Sequence, residues 1–171
     1  MQISRMITVG SLLFLLTSCV VGEIRDHSFY LEDDFTVQLL NEDWQIIRQT
    51  KDPLNPKAAS SRDKIAFAHK KSNGYISANS FILSDVSQAR PLSVHVDAAV
   101  SNWRGMKLSE KQTRIDGIDA VEVVISSTRM VKWVFMKKGD RGYELVYSNT
   151  PAYFDEYIGV FDKFVETFKT L

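Results

Sequence analysis

KLSEKQTRIDGIDAVEVVISSTRMVKWVFMKKGDRGYELVY, residues 107–147, is the stretch whose reading decides the fold. Lys107 to Ile115 reads as a strand. Asp116-Gly117 then supplies a two-residue hairpin turn, a place where both central residues need positive φ and Asp-Gly tolerates it. Val121, Val123 and Ile125 recur every second residue, the period of a strand with one buried side. Val131, Trp133 and Phe135 repeat that period up to Gly139-Asp140-Arg141-Gly142, and Tyr143, Leu145 and Tyr147 mark a fourth run. Connections this short join antiparallel neighbours, because a parallel pair needs a crossover of a dozen or more residues.

Working outward toward the C-terminus, Thr150-Pro151 is a helix start, with a hydroxyl N-cap and proline at the first helical position. Phe154, Tyr157, Ile158, Phe161, Phe164, Val165 and Phe168 follow at three- and four-residue spacing. They predict a helix to the chain end that buries seven large apolar side chains on a sheet. Toward the N-terminus, Pro91 opens a second helix whose face carries Leu92, Val96, Ala99, Val100 and Trp103, with Gly105 ending it. Ile65 and Phe67, the turn Ser72-Asn73-Gly74, and the run Tyr75 to Leu83 read as a hairpin. Phe35, Val37 and Leu39 alternate as one more strand, and Asn41-Glu42-Asp43 breaks it before Trp44. Thr50–Asp63, with Pro53 and Pro56, reads as a long exposed loop. Strands joined as hairpins with few helices predict an α+β fold: an antiparallel β-sheet sandwiched by helices, with a long C-terminal helix packed on the sheet.

The first residues carry a different signal. Arg5 precedes the apolar run Ile7 to Leu16, which has ten residues where a membrane-spanning helix needs about 20. It reads as a cleavable export signal. Leu16-Thr17-Ser18-Cys19 resembles the bacterial lipobox, which implies lipid attachment to the Cys19 thiol and cleavage after Ser18. Acyl chains in pairs anchor stably where a single chain is marginal. The expected organisation is a signal peptide at 1–18, a lipid-anchored tether at 19–28 and one α+β domain at 29–171. Val20, where an Asp would mark inner-membrane retention, points to the outer membrane facing the periplasm in a Gram-negative host.

Composition narrows the chemistry. Basic and acidic residues number 21 each, and removing 1–18 takes away only Arg5, leaving a net charge of −1. A nucleic-acid binder carries a basic excess or stripe, so no nucleic acid is expected as a partner. With the single cysteine assigned to lipid, no thiol remains for a disulfide, a cysteine metal site or thiol catalysis. His95 and Asp97 stand two apart on a predicted helix and point to different sides, so they cannot chelate together. His69 falls at strand period after Ile65 and Phe67, at the rim of the core, and His27 lies in the tether. No metal-spaced histidine pair, serine elbow or glycine-rich phosphate loop occurs, so neither a catalytic residue nor a cofactor is expected. Trp103 and Trp133 read as core. Lys70-Lys71 and Lys137-Lys138 flank turns, where charge blunts strand edges.

Phe35 to Trp44, Asp116-Gly117-Ile118-Asp119-Ala120, Trp133-Val134-Phe135, Tyr143-Glu144-Leu145-Val146-Tyr147 and Phe164-Val165-Glu166-Thr167-Phe168 follow one another in an order that carries a family resemblance. Taken together they resemble the PsbP/Mog-type fold and, among its bacterial members, the DcrB-like envelope lipoproteins. The resemblance implies a binding or assembly factor with no shared catalytic motif. The expectation is therefore a membrane-anchored, non-enzymatic lipoprotein with an envelope protein as partner. The alternative is a carrier or sensor of a small apolar or lipidic ligand, which an enclosed apolar pocket of roughly 300 Å³ or more would mark. A perturbed His69 or His95 beside a carboxylate in a cleft would instead mark an enzyme. Trp44, at a turn, reads either as core or as an aromatic anchor. Together with Lys51, Lys57 and Arg62 of the loop it is the candidate partner contact.

Overall fold

The computed structural model describes residues 22–49 and 64–171. The four runs of 107–147 form as read: β7 (Met106–Ile115), β8 (Ile118–Ser126), β9 (Met130–Lys138) and β10 (Arg141–Asn149). Ile115 pairs with Ile118 across Asp116 and Gly117, whose φ angles of 52° and 76° are both positive, as that tight turn demands. The hairpin of β5 (Ile65–His69) and β6 (Tyr75–Ile82) docks on β10, and β4 (Trp44–Gln49) pairs with β5. Among the described residues this makes a seven-stranded antiparallel sheet in the order β4-β5-β6-β10-β9-β8-β7.

Period-two alternation sends side chains to both faces, and each face is covered. On one face Val121, Val123, Ile125, Val131, Trp133 and Phe135 pack under helix α2 (Leu92–Asn102), which buries Val96 and Ala99. A short helix, α1 (Asp85–Ala89), precedes it and escaped the sequence reading; the Ser84 hydroxyl caps it by accepting from Ser87 N at 3.3 Å. On the other face Phe67, Ile76, Val134, Leu145 and Tyr147 meet helix α3 (Pro151–Glu166). The α+β sandwich expected from the sequence is the fold observed.

Three expectations need correction. First, α3 stops at Glu166 instead of reaching the chain end. Phe154, Phe161 and Phe164 are its buried residues, while Tyr157, Ile158 and Val165 are half-buried. Phe168 lies past the helix, fully buried and stacked on Phe35 at 5.2 Å. Thr167 ends the helix: its hydroxyl donates to the Phe164 carbonyl at 2.8 Å and accepts from Gln38 N at 3.1 Å. Second, Thr150 occupies the N-cap position, but its hydroxyl makes no capping bond. The Tyr147 hydroxyl instead donates to the Phe154 carbonyl at 3.0 Å, fastening the first turn of α3 to β10.

Third, the segment read as tether contains a strand. β1 (Gly22–Arg25) pairs with β2 (Ser28–Leu31), Gly22 opposite Leu31. Asp26 and His27 turn the chain between them at φ 46° and 58°, so residues 22–28, expected in the tether, belong to the folded sheet. Residues 19–21 lie outside the described residues. β2 pairs β3 (Phe35–Gln38), which pairs β11 (Lys169–Thr170), giving a second, four-stranded sheet. This small sheet closes the α3 side of the core with Phe29, Leu31, Phe35 and Val37.

Asp34, in the turn after β2, bolts the two sheets together. It is 2% exposed, accepts from the Arg141 guanidinium at 2.9 Å, and accepts from the Ser80 hydroxyl. Lys132 is a second buried charge on the α3 face, paired with Asp162 at 2.6 Å and Glu122 at 3.2 Å.

Candidate functional site

Cys19, Lys51, Lys57 and Arg62, together with the whole Thr50–Asp63 loop reading, fall outside the described residues. Trp44 does not. It opens β4 opposite His69, is 5% exposed, and sets its indole against His69 at 5.0 Å and Tyr157 at 6.2 Å between centroids. An indole so enclosed belongs to the core beneath α3, which corrects its reading as an aromatic anchor for a partner.

The Trp44 pocket holds a histidine beside a serine, a pair that in other settings is a nucleophile and its base. Here Ser72 Oγ lies 2.9 Å from His69 Nδ1, and Nδ1 also accepts from Ser72 N at 3.1 Å. Ser72 Oγ in turn accepts from Gly74 N at 3.3 Å and Asn149 Nδ2 at 3.2 Å. Ser72 is 3% exposed and its lone pairs are engaged by donors, so the pair ties off the β5–β6 turn. Asn149 Nδ2 continues the chain to Tyr147 Oη at 3.2 Å. Burial pushes the Tyr147 phenol up to about 12 against the opposing bond from Asn149.

The opposite face carries an open groove of about 560 Å³ between β6, β10 and the end of α2. Trp103, Trp133, Asn102, Glu144, Ser77 and Tyr75 line it. Trp133 is 3% exposed and stacks flat on Phe135 at 5.4 Å. Trp103 is half-buried at the cap of α2, where its backbone N–H meets the Ala99 carbonyl at 3.0 Å. Ser77 and Asn79 both project from β6 toward the α2 side, and Asn79 stands opposite Glu144 in the register. Both are buried, yet Ser77 Oγ and the Oδ1 and Nδ2 atoms of Asn79 have no hydrogen-bond partner. A buried polar group left unbonded costs about 1–3 kcal/mol, so two such residues side by side call for a reason. The sequence hinted at them: Tyr75, Ser77 and Asn79 alternate as polar residues along a strand whose other side starts with Ile76 and Ala78.

A smaller cavity of about 220 Å³ adjoins the groove and shares Ala99, Asn102, Trp133 and Glu144 with it. His95 borders it, its ring against Phe135 at 4.5 Å and its Nε2 3.4 Å from the Ser87 carbonyl. Burial lowers the His95 pKa below the ordinary imidazole value, with the Ser87 contact opposing. The imidazole is thus neutral at pH 7 and serves as a wall of the cavity. His95 and Glu144 border one cleft, the arrangement asked of an enzyme, but the contacts of His95 run to Ser87 and Phe135. Among the described residues, no group of three or more His, Cys, Asp or Glu side chains gathers to hold a metal ion.

No family model matches the chain, and no curated protein does. Solved structures do. The solution structure of cyanobacterial PsbP (CyanoP) from Synechocystis sp. PCC 6803 superposes with a TM-score of 0.61 at 9% identity, covering 96% of this chain and 98% of that one. A Pseudomonas aeruginosa protein of unknown function, PA94, gives a TM-score of 0.46 at 15% identity over 74% of this chain and 82% of that one. A Bacteroides thetaiotaomicron structure gives 0.42 at 9% over 80% and 45%. The likeness to CyanoP establishes a PsbP-like fold for this chain, and at that identity it speaks to the fold alone.

Proposed function

We propose that this chain is a membrane-anchored lipoprotein of the cell envelope, of the DcrB-like kind, that acts by binding an envelope protein and not by catalysis. The observation that carries the reading is the short distance from the lipidation motif to the fold. Leu16-Thr17-Ser18-Cys19 ends three residues before Gly22, the first residue of β1. Three residues reach at most about 10–11 Å, less than the length of a typical strand. Acyl chains on Cys19 therefore hold the small sheet at the headgroup layer, and the larger sheet and its helices stand away from it. The polar 50–63 stretch, with Lys51, Lys57 and Arg62, is the proposed partner contact, now without Trp44.

The test is Cys19→Ser. The substituted chain is expected to leave the membrane fraction and to take up no labelled palmitate, and crosslinking in intact cells is expected to lose its captured envelope protein. A Cys19→Ser chain that stays with membranes and still incorporates palmitate refutes the anchor.

A second reading, a carrier or sensor of a small ligand, draws support from the groove of about 560 Å³ on the α2 face. That groove is open, and polar groups line some of it, which suits a ligand with both polar and apolar sides better than a wholly apolar one.

A further inference from the structure

We propose that the groove on the α2 face is a binding site for a neutral saccharide. The proposal goes beyond the anchored-lipoprotein reading and does not depend on it, since none of the groove's residues belongs to the tether.

The chemistry of the lining decides the ligand class. Ser77 lines the groove, and Asn79 stands two residues on along the same face of β6, opposite the groove residue Glu144; both lack partners, and both are neutral. A serine hydroxyl donates and accepts, and a carboxamide offers an acceptor oxygen and two donor hydrogens, so together they match vicinal hydroxyls. Asn102 adds a second, exposed carboxamide at the groove. Half-buried Trp103 supplies a flat apolar surface with a polar edge, the kind of wall on which the C–H face of a sugar ring rests, and Trp133 borders the groove beside it. Neither cavity is lined by lysine or arginine, and the Glu144 carboxylate borders both, so phosphate or carboxylate ligands are disfavoured there. A fatty chain would leave the Ser77 and Asn79 groups unbonded in an apolar contact, which is unfavourable. The groove's volume falls within the range of small-molecule sites, about 300–1,000 Å³, so one or two sugar rings fit.

Burying two unbonded polar side chains weakens the ligand-free fold, and a ligand that bonds them recovers what is lost. Function and stability therefore pull in opposite directions at these positions. Replacing either residue by alanine removes the unbonded atoms and the sugar contact together.

The experiment uses the full-length chain in a detergent without sugar headgroups, titrated with maltose and with N,N′-diacetylchitobiose and followed by tryptophan fluorescence. At least one of the two disaccharides is expected to bind saturably. Ser77→Ala and Asn79→Ala are each expected to weaken that binding tenfold or more while their melting midpoints stay level or rise. Trp103→Ala, at a half-exposed position, is expected to weaken binding with the fold intact, and isothermal calorimetry reads it without relying on the lost fluorophore. The proposal is overturned if neither disaccharide binds at millimolar concentration. It is equally overturned if Ser77→Ala and Asn79→Ala bind as the parent does, or if choline or laurate displaces the sugar as well as a second sugar does.

Discussion

Replacing Asp34 with asparagine tests how the small sheet is held to the large one. Asp34 Oδ2 accepts from Arg141 Nη1 at 2.9 Å and from the Ser80 hydroxyl, while Oδ1 is buried without a partner. The backbone of Asp34 is bonded independently, its N–H to the Leu31 carbonyl at 3.1 Å and its carbonyl to Leu171 N at 2.9 Å. An asparagine side chain in that pocket keeps the shape and one acceptor oxygen, so the perturbation is the loss of charge. Hydrogen bonds to a charged group contribute about 1.5–3 kcal/mol against about 0.5–1.5 for neutral ones. Two bonds are affected, but the Arg141 side chain is 34% exposed, and water screens some of its share. A loss of about 2 kcal/mol follows, a fall in melting midpoint of about 4–8 °C for a domain of this size. Differential scanning calorimetry measures it, and hydrogen exchange locates it, with amides of β1, β2 and β3 expected to lose protection before those of β8 and β9. Asp34→Ala, which strands Arg141 and Ser80, is expected to lose more. An Asp34→Asn chain that melts within a degree of the parent refutes the argument that this ion pair couples the sheets.

Gly105→Ala places a methyl 2.5 Å from Ile125 Cγ2 and 2.7 Å from the Ser126 carbonyl, a backbone atom that cannot swing away, so a loss of about 1–3 kcal/mol is expected by thermal melting. At His95 the folded pKa lies below 6.5, so the unfolded chain binds more protons between the two values. Its contribution to stability is therefore full above pH 6.5 and declines as pH falls through that window. His95→Gln should flatten that portion of the melting profile, and an unchanged slope would remove His95 as its source. Shortening 50–63 to a few glycines and serines is expected to leave the melting midpoint nearly unchanged while weakening crosslinking to an envelope partner; full-strength capture would place that contact elsewhere.

How far the fold could be read in advance depended on which turns carry glycine. Asp116-Gly117 and Ser72-Asn73-Gly74 announce themselves, and the alternation of valines and aromatics on either side leaves little freedom in register. The β1–β2 turn, Asp26-His27, has no glycine, and the apolar residue of β1, Ile24, is 37% exposed, so neither turn nor burial marks the strand. β11 was hidden for another reason. Phe164 and Phe168 are four apart, as on a helix, yet the chain leaves the helix between them and Phe168 reaches the same core from a strand's approach. Trp44 was ambiguous because it begins its strand at a turn, and only α3 passing over it decides its burial. The groove was least legible of all. It depends on tertiary packing that leaves Ser77 and Asn79 buried and unbonded, an outcome that local pattern cannot encode.

The β1–β2 hairpin has a mechanical side. In an antiparallel pair loaded from Gly22, the force arrives at the open end, where Gly22 faces Leu31, and the bonds break in succession toward Arg25. Little else grips the strand, since Gly22 is its one buried residue. If Cys19 carries lipid as proposed, a pull from that side peels four residues before it strains anything else, freeing about 13–14 Å of chain. β2 stays paired with β3 throughout, so the sandwich behind it is undisturbed. Under the proposed anchor the hairpin would act as a reel, letting out chain under tension and re-pairing when the tension drops.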